Sequence, residues 1–145
     1  MVVSPEITGA RLRRLDRCLQ RLRRLAAIPL EAYLADEDAQ TLAERHFQVA
    51  VQCLLDMANH IVAEEGLGSP DDAEELLACL VAANAVPAPL YERVRGLAGF
   101  RNILVHDYLT VDHHIVHRLL GRLDDLLDLA RALDDYARRA SPSPS

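Results

Sequence analysis

The chain has 145 residues, half of them apolar, and a formal net charge of −6 at pH 7. Such a length and apolar content suffice for a hydrophobic core without disulfides or metals, and the acidic balance does not indicate a nucleic-acid binder by composition alone. All sixteen basic residues are arginines, and seven of them lie between Arg11 and Arg24, whereas acids crowd residues 64–75 and 124–135. This segregation suits an anionic ligand or an oppositely charged partner, although solvated arginines along a helix would look the same.

The cysteines and the chain ends suggest the compartment. Cys18, Cys53 and Cys79 are far apart and odd in number, which disfavours a disulfide framework or a zinc cluster and predicts small core residues in a reducing compartment. No apolar run approaches the roughly 20 residues that span a bilayer, and the N-terminus lacks an apolar signal core. We therefore expect a cytoplasmic protein without membrane contact, with one helical domain over residues 1–140 and a disordered tail, "SPSPS", over 141–145.

An apolar period of 3.6 residues runs through the chain, without repeats or β-alternation, and predicts an all-α fold. A first helix, "RLRRLDRCLQRLRRLA", carries leucines three or four residues apart and ends before Pro29. A short helix through "LEAYLA" follows. A long helix is predicted from Glu37 to Glu65, with Asp36 as its N-cap and Gly66 closing it.

The second half of the chain predicts three more helices. The third opens with Ser69 as N-cap and stops by Pro87. The fourth, "PLYERVRGLAGFRNIL", is weakened by Gly96 and Gly99, and the fifth runs from about residue 112 to 139. Short connections between these elements indicate an up-and-down bundle of four to five helices.

The segment "FRNILVHDY", residues 100–108, places five hydrogen-bonding side chains within an apolar stretch. Residues four apart on a helix differ by about 40° and residues five apart by about 140°. Asn102 and His106 therefore share a face. Arg101 can join His106 only if the helix loosens near Val105 or if a twofold axis brings two chains together.

These residue types suit phosphate chemistry. The fork of donors on Arg101 fits a phosphate, Asn102 adds a neutral donor, and His106 near a helix C-terminus can take and give a proton. Together they are the minimum for metal-independent RNA cleavage, in which His removes the ribose 2′-OH proton and Arg holds the developing charge. A symmetric dimer would supply a second His as acid. The alternative is an Arg and an Asn that cap the helix end, with the His in the following turn.

The segment "RNILVHDY" resembles the R-x4-H-x-Y motif of the HEPN superfamily, specifically of its HepT-like toxins. The similarity extends over roughly residues 10–135 and includes "ERHFQVAVQCLLDMANHI" and "SPDDAEELLACLVAANAVP". The N-terminus is longer than is usual in that family, and three additional histidines follow the motif.

The resemblance implies an all-helical, HEPN-like homodimer that acts as the endoribonuclease toxin of a type VII-like HepT/MntA toxin–antitoxin pair. It implies that Arg101, Asn102 and His106 are catalytic and that the partner, an MntA-like nucleotidyltransferase antitoxin, attaches AMP to Tyr108. The substrate would be RNA, with tRNA as one candidate, and no metal or cofactor is expected. A non-catalytic HEPN dimer that binds a nucleotidyltransferase or RNA is the alternative, and a plain helical dimerisation protein is a third reading.

Two further polar groups allow more than one interpretation. His113 and His117 lie one helical turn apart and could share a metal, but no third ligand is evident, so we expect these residues and His114 to be solvated or to face the cleft. One face of the long helix, called here the polar face of the long helix, is expected either to meet solvent or to line the dimer cleft; it consists of Arg45, Gln48, Gln52, Asp56 and His60.

Overall fold

A computed structural model describes residues 5–140, except for the side chains of Pro5, Ala98 and Tyr108. The helices are α1 (Pro5–Ala26), α2 (Leu30–Leu34), α3 (Glu37–Glu65), α4 (Ala73–Ala82), α5 (Ala88–Val94), α6 (Leu97–His106), α7 (His113–Leu120) and α8 (Leu123–Ala140), with a 3-10 turn at Tyr108–Thr110. No strand occurs in the described part of the chain, so the all-α prediction is confirmed. The predicted disordered tail, residues 141–145, lies outside the described residues.

The core is built on the pairing of α1 with α3, with α8 packed against both. The predicted leucine face of α1 is buried at Leu15, Leu19 and Leu22, which meet a buried face of α3 that includes Phe47 and Met57. Each such side chain contributes about 1.5–3 kcal/mol when it leaves water. This burial fixes α3 as the central element on which the other helices are placed.

Both ends of α3 lie where the sequence predicts them. The side chain of Asp36 accepts a hydrogen bond from the Ala39 N–H at 3.0 Å, which satisfies a free donor of the first turn. At the other end Gly66 adopts a left-handed conformation, φ 61°, and its N–H donates to the Val62 carbonyl. The long central helix is therefore set by local capping as well as by core packing.

The predicted start of the third helix is wrong by three residues. Helix α4 begins at Ala73, and its N-cap is Asp72 rather than Ser69. The Asp72 side chain accepts from the Glu75 N–H at 2.8 Å, while the Glu75 carboxylate accepts from the Asp71 N–H at 2.8 Å. This reciprocal pair resembles a capping box and satisfies two backbone donors, which one serine hydroxyl at position 69 cannot do.

The fourth and fifth predicted helices are each interrupted. The fourth divides into α5 and α6 around Gly96, the N-cap of α6. The fifth divides into α7 and α8 at Gly121, where an added Cβ would lie 3.3 Å from the Arg118 carbonyl oxygen. The turn at Gly121 is held by Arg122, whose guanidinium donates to the Arg93 carbonyl at 3.2 Å. These breaks allow short helices to bend around α3.

The cysteines follow the prediction in part. Cys18 and Cys53 are buried in the core, as predicted, whereas Cys79 is half-buried. Burial raises the pKa of both core thiols, which keeps them protonated at neutral pH. Among residues 5–140, none of the helices has the length and apolar character needed to cross a bilayer.

Candidate active site at the end of helix α6

Helix α6 is fixed on α3 by its apolar face. Leu104 is buried, and the Phe100 ring packs edge-on against Phe47 with ring centroids 5.4 Å apart. Edge-to-face aromatic pairs add about 0.5–1.5 kcal/mol to the area that they bury. Because this face packs against α3, Asn102 and His106 are exposed on the other side of the helix, which agrees with the prediction that they share a face.

Arg101 occupies a half-buried position between these two faces. Its Nη1 donates to the Asn102 side-chain oxygen at 3.4 Å. Its Nε is buried and has no hydrogen-bond partner among the described residues. Buried guanidinium donors are normally paired, so Arg101 has unused capacity for an anionic oxygen.

His106 is the last residue of α6, and the helix is regular up to it. The Asp107 N–H donates to the Ile103 carbonyl at 3.0 Å, which shows that the last turn is closed. Loosening near Val105, one of the two conditions under which Arg101 can join His106, does not occur. Arg101 and His106 of one chain therefore differ by about 140° around the helix, and only the twofold axis remains as the route that brings them together.

A compact turn follows the helix. Both the backbone N–H and the hydroxyl of Thr110 donate to the Asp107 carbonyl, each at 2.9 Å. Tyr108 begins this 3-10 turn, two residues beyond the last residue of α6. Leu109 beside it is 87% exposed. The structure thus places the backbone of the predicted modification site outside the helix and next to a solvent-facing leucine.

The three histidines after the motif were expected to be solvated or to face the cleft, and two of them, His113 and His117, are half-buried and hydrogen-bonded. His113 lies between two partners: Tyr33 Oη is 2.7 Å from Nδ1, and a Glu44 carboxylate oxygen is 3.1 Å from Nε2. Both contacts are satisfied if the Tyr33 hydroxyl donates to Nδ1 and Nε2–H donates to Glu44. His117 Nε2 lies 2.8 Å from the Ile28 carbonyl oxygen. Only His114, beside Asp112, is exposed.

This network ties the motif segment to the rest of the bundle. Tyr33 is fully buried, and its ring is flanked by the imidazoles of His113 and His117 at 5.6 and 5.3 Å. Burial, with a smaller effect of the Glu44 carboxylate, raises the pKa of the Tyr33 hydroxyl above its usual 10.0. Because α2, α3 and α7 all contribute, the network fixes the point at which the chain re-enters the bundle after residue 110.

Replacing Tyr33 with phenylalanine should lower the free energy of unfolding by about 1–3 kcal/mol, because His113 loses a buried partner while the ring remains. The raised pKa also implies that wild-type stability falls as the pH rises above 10, since the unfolded state loses the phenolic proton first. That alkaline decline should be weaker in Tyr33→Phe. Urea unfolding at pH 7 and pH 10.5 measures both effects. Tyr91→Phe is the matched control, since no described residue hydrogen-bonds its hydroxyl; equal losses in the two variants would contradict the assigned role.

No group of three or more potential ligands that could hold a metal ion occurs among the described residues. Both ring nitrogens of His113 and Nε2 of His117 are used in the contacts above. The polar face of the long helix, α3, is only partly exposed to solvent. Arg45 is exposed, but Gln48, Gln52, Asp56 and His60 are half-buried. The Gln52 amide donates to the Asp56 carboxylate at 2.8 Å.

Comparisons with known proteins agree with this fold. Residues 15–133 match the family model described as ribonuclease HepT-like. The mRNA nuclease HepT of Shewanella oneidensis is 26% identical over 122 residues, which cover 81% of this chain and 91% of that protein. The tRNA nuclease HepT of Aphanizomenon flos-aquae is 28% identical over 110 residues, which cover 76% of this chain and 75% of that one.

Solved structures show the same fold. The tri-AMPylated Shewanella oneidensis HEPN toxin, solved in complex with its MNT antitoxin, superposes with a TM-score of 0.80 at 24% identity and covers 89% of this chain and 97% of that one. The HEPN-like bundle predicted from the sequence is therefore confirmed. With most of its length matched by the family model, the chain belongs to the HepT-like ribonuclease family.

Proposed function

We propose that the protein is a metal-independent endoribonuclease toxin that cleaves RNA, with tRNA as the first substrate to test. Arg101 binds the scissile phosphate, Asn102 steadies a phosphoryl oxygen, and His106 transfers protons. The observation that carries this proposal is the half-buried Arg101, whose Nε lacks a described partner, on the same short helix as an exposed His106. Support also comes from two relatives named as RNA nucleases.

The chemistry needs two proton transfers. His106 of one chain removes the proton of the ribose 2′-OH, and the oxygen attacks the adjacent phosphorus. The bond from phosphorus to the 5′-oxygen breaks, and His106 of a second chain donates a proton to that leaving oxygen. Arg101 stabilises the negative charge that develops on the phosphoryl oxygens. The products are a 2′,3′-cyclic phosphate and a 5′-hydroxyl.

A homodimer with its twofold axis beside α6 would provide the second histidine. Apolar side chains near the motif support a contact there: Ile103 is 42% exposed, Leu109 87% and Ile115 43%. Ile103 and Ile115 also line a groove of about 590 Å³ that includes Phe47 and Phe100. Exposed apolar surface of this kind often marks an interaction site. An axis at this surface would bring Arg101 of one chain towards His106 of the other.

A nucleotidyltransferase antitoxin of the MntA type is the proposed partner that restrains this activity. The relative solved with its MNT antitoxin carries AMP groups, as its description states. Tyr108 is the proposed acceptor of AMP in this chain, because it holds the tyrosine position of the R-x4-H-x-Y motif and begins the turn that follows His106.

RNA cleavage should persist in excess EDTA and leave a 2′,3′-cyclic phosphate, because the nucleophile is the ribose hydroxyl and no described carboxylate cluster is present to hold Mg²⁺. Mass spectrometry of products from unfractionated tRNA and a defined oligonucleotide tests this prediction. An oligonucleotide with 2′-deoxyribose at the scissile position is the control and should not be cut. Cleavage of that control, or loss of activity in EDTA that Mg²⁺ restores, would contradict the mechanism.

A further inference from the structure

Four arginines line one flank of the α1–α3 pair, and we call them the arginine stripe: Arg11, Arg14 and Arg21 on α1, and Arg45 on α3. On a helix with 100° per residue, the three α1 members fall within about 80° of one another. Arg14, Arg21 and Arg45 are exposed, and Arg11 is half-buried. The three α1 positions cover roughly 15 Å along the helix at 1.5 Å per residue.

The members of the stripe lack acidic partners among the described residues, unlike several arginines elsewhere on the surface. Arg23, Arg93, Arg95, Arg122 and Arg138 each form an ion pair with a carboxylate at 2.9–3.5 Å. Within residues 5–140, no ion pair includes Arg11, Arg14, Arg21 or Arg45. These cations are therefore not neutralised by the chain itself.

Buried groups beneath the stripe experience its charge. The pKa of His46 is lowered first by burial and then by Arg21, Arg14 and Arg45, so the same three cations act on one imidazole. The neighbouring acids have other partners: Asp16 accepts from Gln20 on another face of α1, Asp56 accepts from Gln52 near the Arg11 end, and Glu44 contacts His113. The Arg14–Arg21–Arg45 part is thus a local excess of positive charge on an acidic protein.

We propose that the arginine stripe binds the phosphate backbone of the RNA substrate away from the scissile bond. This inference rests on the proposed ribonuclease function. An arginine guanidinium can donate two parallel hydrogen bonds to the oxygens of one phosphate. Contacts of this kind to the RNA backbone do not depend on the base sequence. Arg45 and Phe47 lie about 160° apart around α3, so the stripe and α6 occupy different sides of the bundle.

A contact between α7 and α3 links the two surfaces. His113, seven residues after His106, contacts Glu44, and Glu44 is next to Arg45 in the chain. RNA that enters the site at the end of α6 can therefore continue around this end of α3 towards Arg45 and Arg21. Only a long or folded RNA can contact both surfaces, so the stripe would favour tRNA-sized substrates over short fragments.

The test uses full-length protein with His106→Ala, so that bound RNA is not cut, and adds Arg14→Gln, Arg21→Gln and Arg45→Gln together. The measured quantity is the slope of the logarithm of the RNA association constant against the logarithm of salt concentration. For contacts to single-stranded RNA, this slope should become shallower by about 2, since each lost phosphate contact reduces it by roughly 0.7. Affinity for unfractionated tRNA should fall at least about tenfold at 50 mM salt, and by much more than affinity for a hexanucleotide. Arg95→Gln, Arg138→Gln and Arg139→Gln together remove the same charge elsewhere and should leave the slope intact.

The outcomes separate the two proposals. If RNA is cleaved by the wild type but the stripe variant keeps its salt slope, the stripe inference is wrong and the ribonuclease function stands. If the stripe variant instead loses affinity only for a purified nucleotidyltransferase partner, the surface binds an acidic protein, and the inference is again wrong. Thermal melting checks that each variant is folded; these exposed arginines are not core residues, so melting temperatures within a few degrees of each other are expected.

Discussion

Replacing His106 with alanine is expected to reduce RNA cleavage by about 10²–10⁴-fold, the range that a positioned acid–base group contributes. Arg101→Ala should cost about 10²–10³-fold, because the developing charge loses its main donor. His106 is exposed at the end of α6, so its removal leaves the core unchanged. Initial rates on a defined RNA, measured with purified variants of equal helicity, give both values.

A matched control for His106→Ala is His114→Ala. Both imidazoles are exposed, and both lie near the 3-10 turn, but His114 pairs only with Asp112. Its loss should change the cleavage rate by less than about threefold, the scale of a neutral surface substitution. A large loss in His114→Ala, with little loss in His106→Ala, would move the acid–base role to α7.

If two chains share the site, a second prediction follows for His106→Ala. A mixed dimer of one wild-type chain and one His106→Ala chain, purified through two different tags, has only one of the two imidazoles. If base and acid come from different chains, this dimer should have far less than half of the wild-type rate. Retention of half the rate, or a monomeric wild type in light scattering, would show that each chain acts alone.

The parts of the fold that the sequence predicts well are those fixed by local chemistry. Helix α3 begins after Asp36 and ends before Gly66, because an aspartate cap and a left-handed glycine act within one turn of the chain. The shared face of Asn102 and His106 likewise follows from helix geometry alone. Such features need no knowledge of the neighbouring helices.

The predictions from the sequence fail where residues far apart in the chain determine the local structure. Beside the break at Gly121, Arg122 reaches the Arg93 carbonyl, 29 residues away in the chain. The sequence alone predicts that His113 is solvated or faces the cleft, because its partners, Tyr33 and Glu44, are 80 and 69 residues distant in the chain. The start of α4 could have been predicted from the sequence, since Asp72 and Glu75 have the spacing of a capping box.

Tyr108 should be the point at which an antitoxin switches the enzyme off. In the proposed modification, the phenol oxygen attacks the α-phosphorus of a nucleoside triphosphate, pyrophosphate leaves, and the phenolic proton passes to solvent or to a base of the partner. The AMP group adds a phosphate anion two residues beyond His106. That anion can pair with Arg101 in place of the substrate phosphate, and the nucleoside adds bulk, so both charge and size should block RNA.

Tyr108→Phe should therefore retain at least part of the ribonuclease activity but remain toxic in cells that produce the active nucleotidyltransferase. The wild type, co-expressed with that partner, should gain about 329 Da for each AMP in intact-mass spectra, the mass of an adenylyl group attached with loss of pyrophosphate. Tyr136→Phe is the control: it removes another phenol, in α8, and should be modified and neutralised like the wild type. If the wild type gains no such mass, or if Tyr108→Phe is neutralised as fully as the wild type, the antitoxin must act through complex formation alone, because a chain without the acceptor oxygen cannot carry the blocking phosphate.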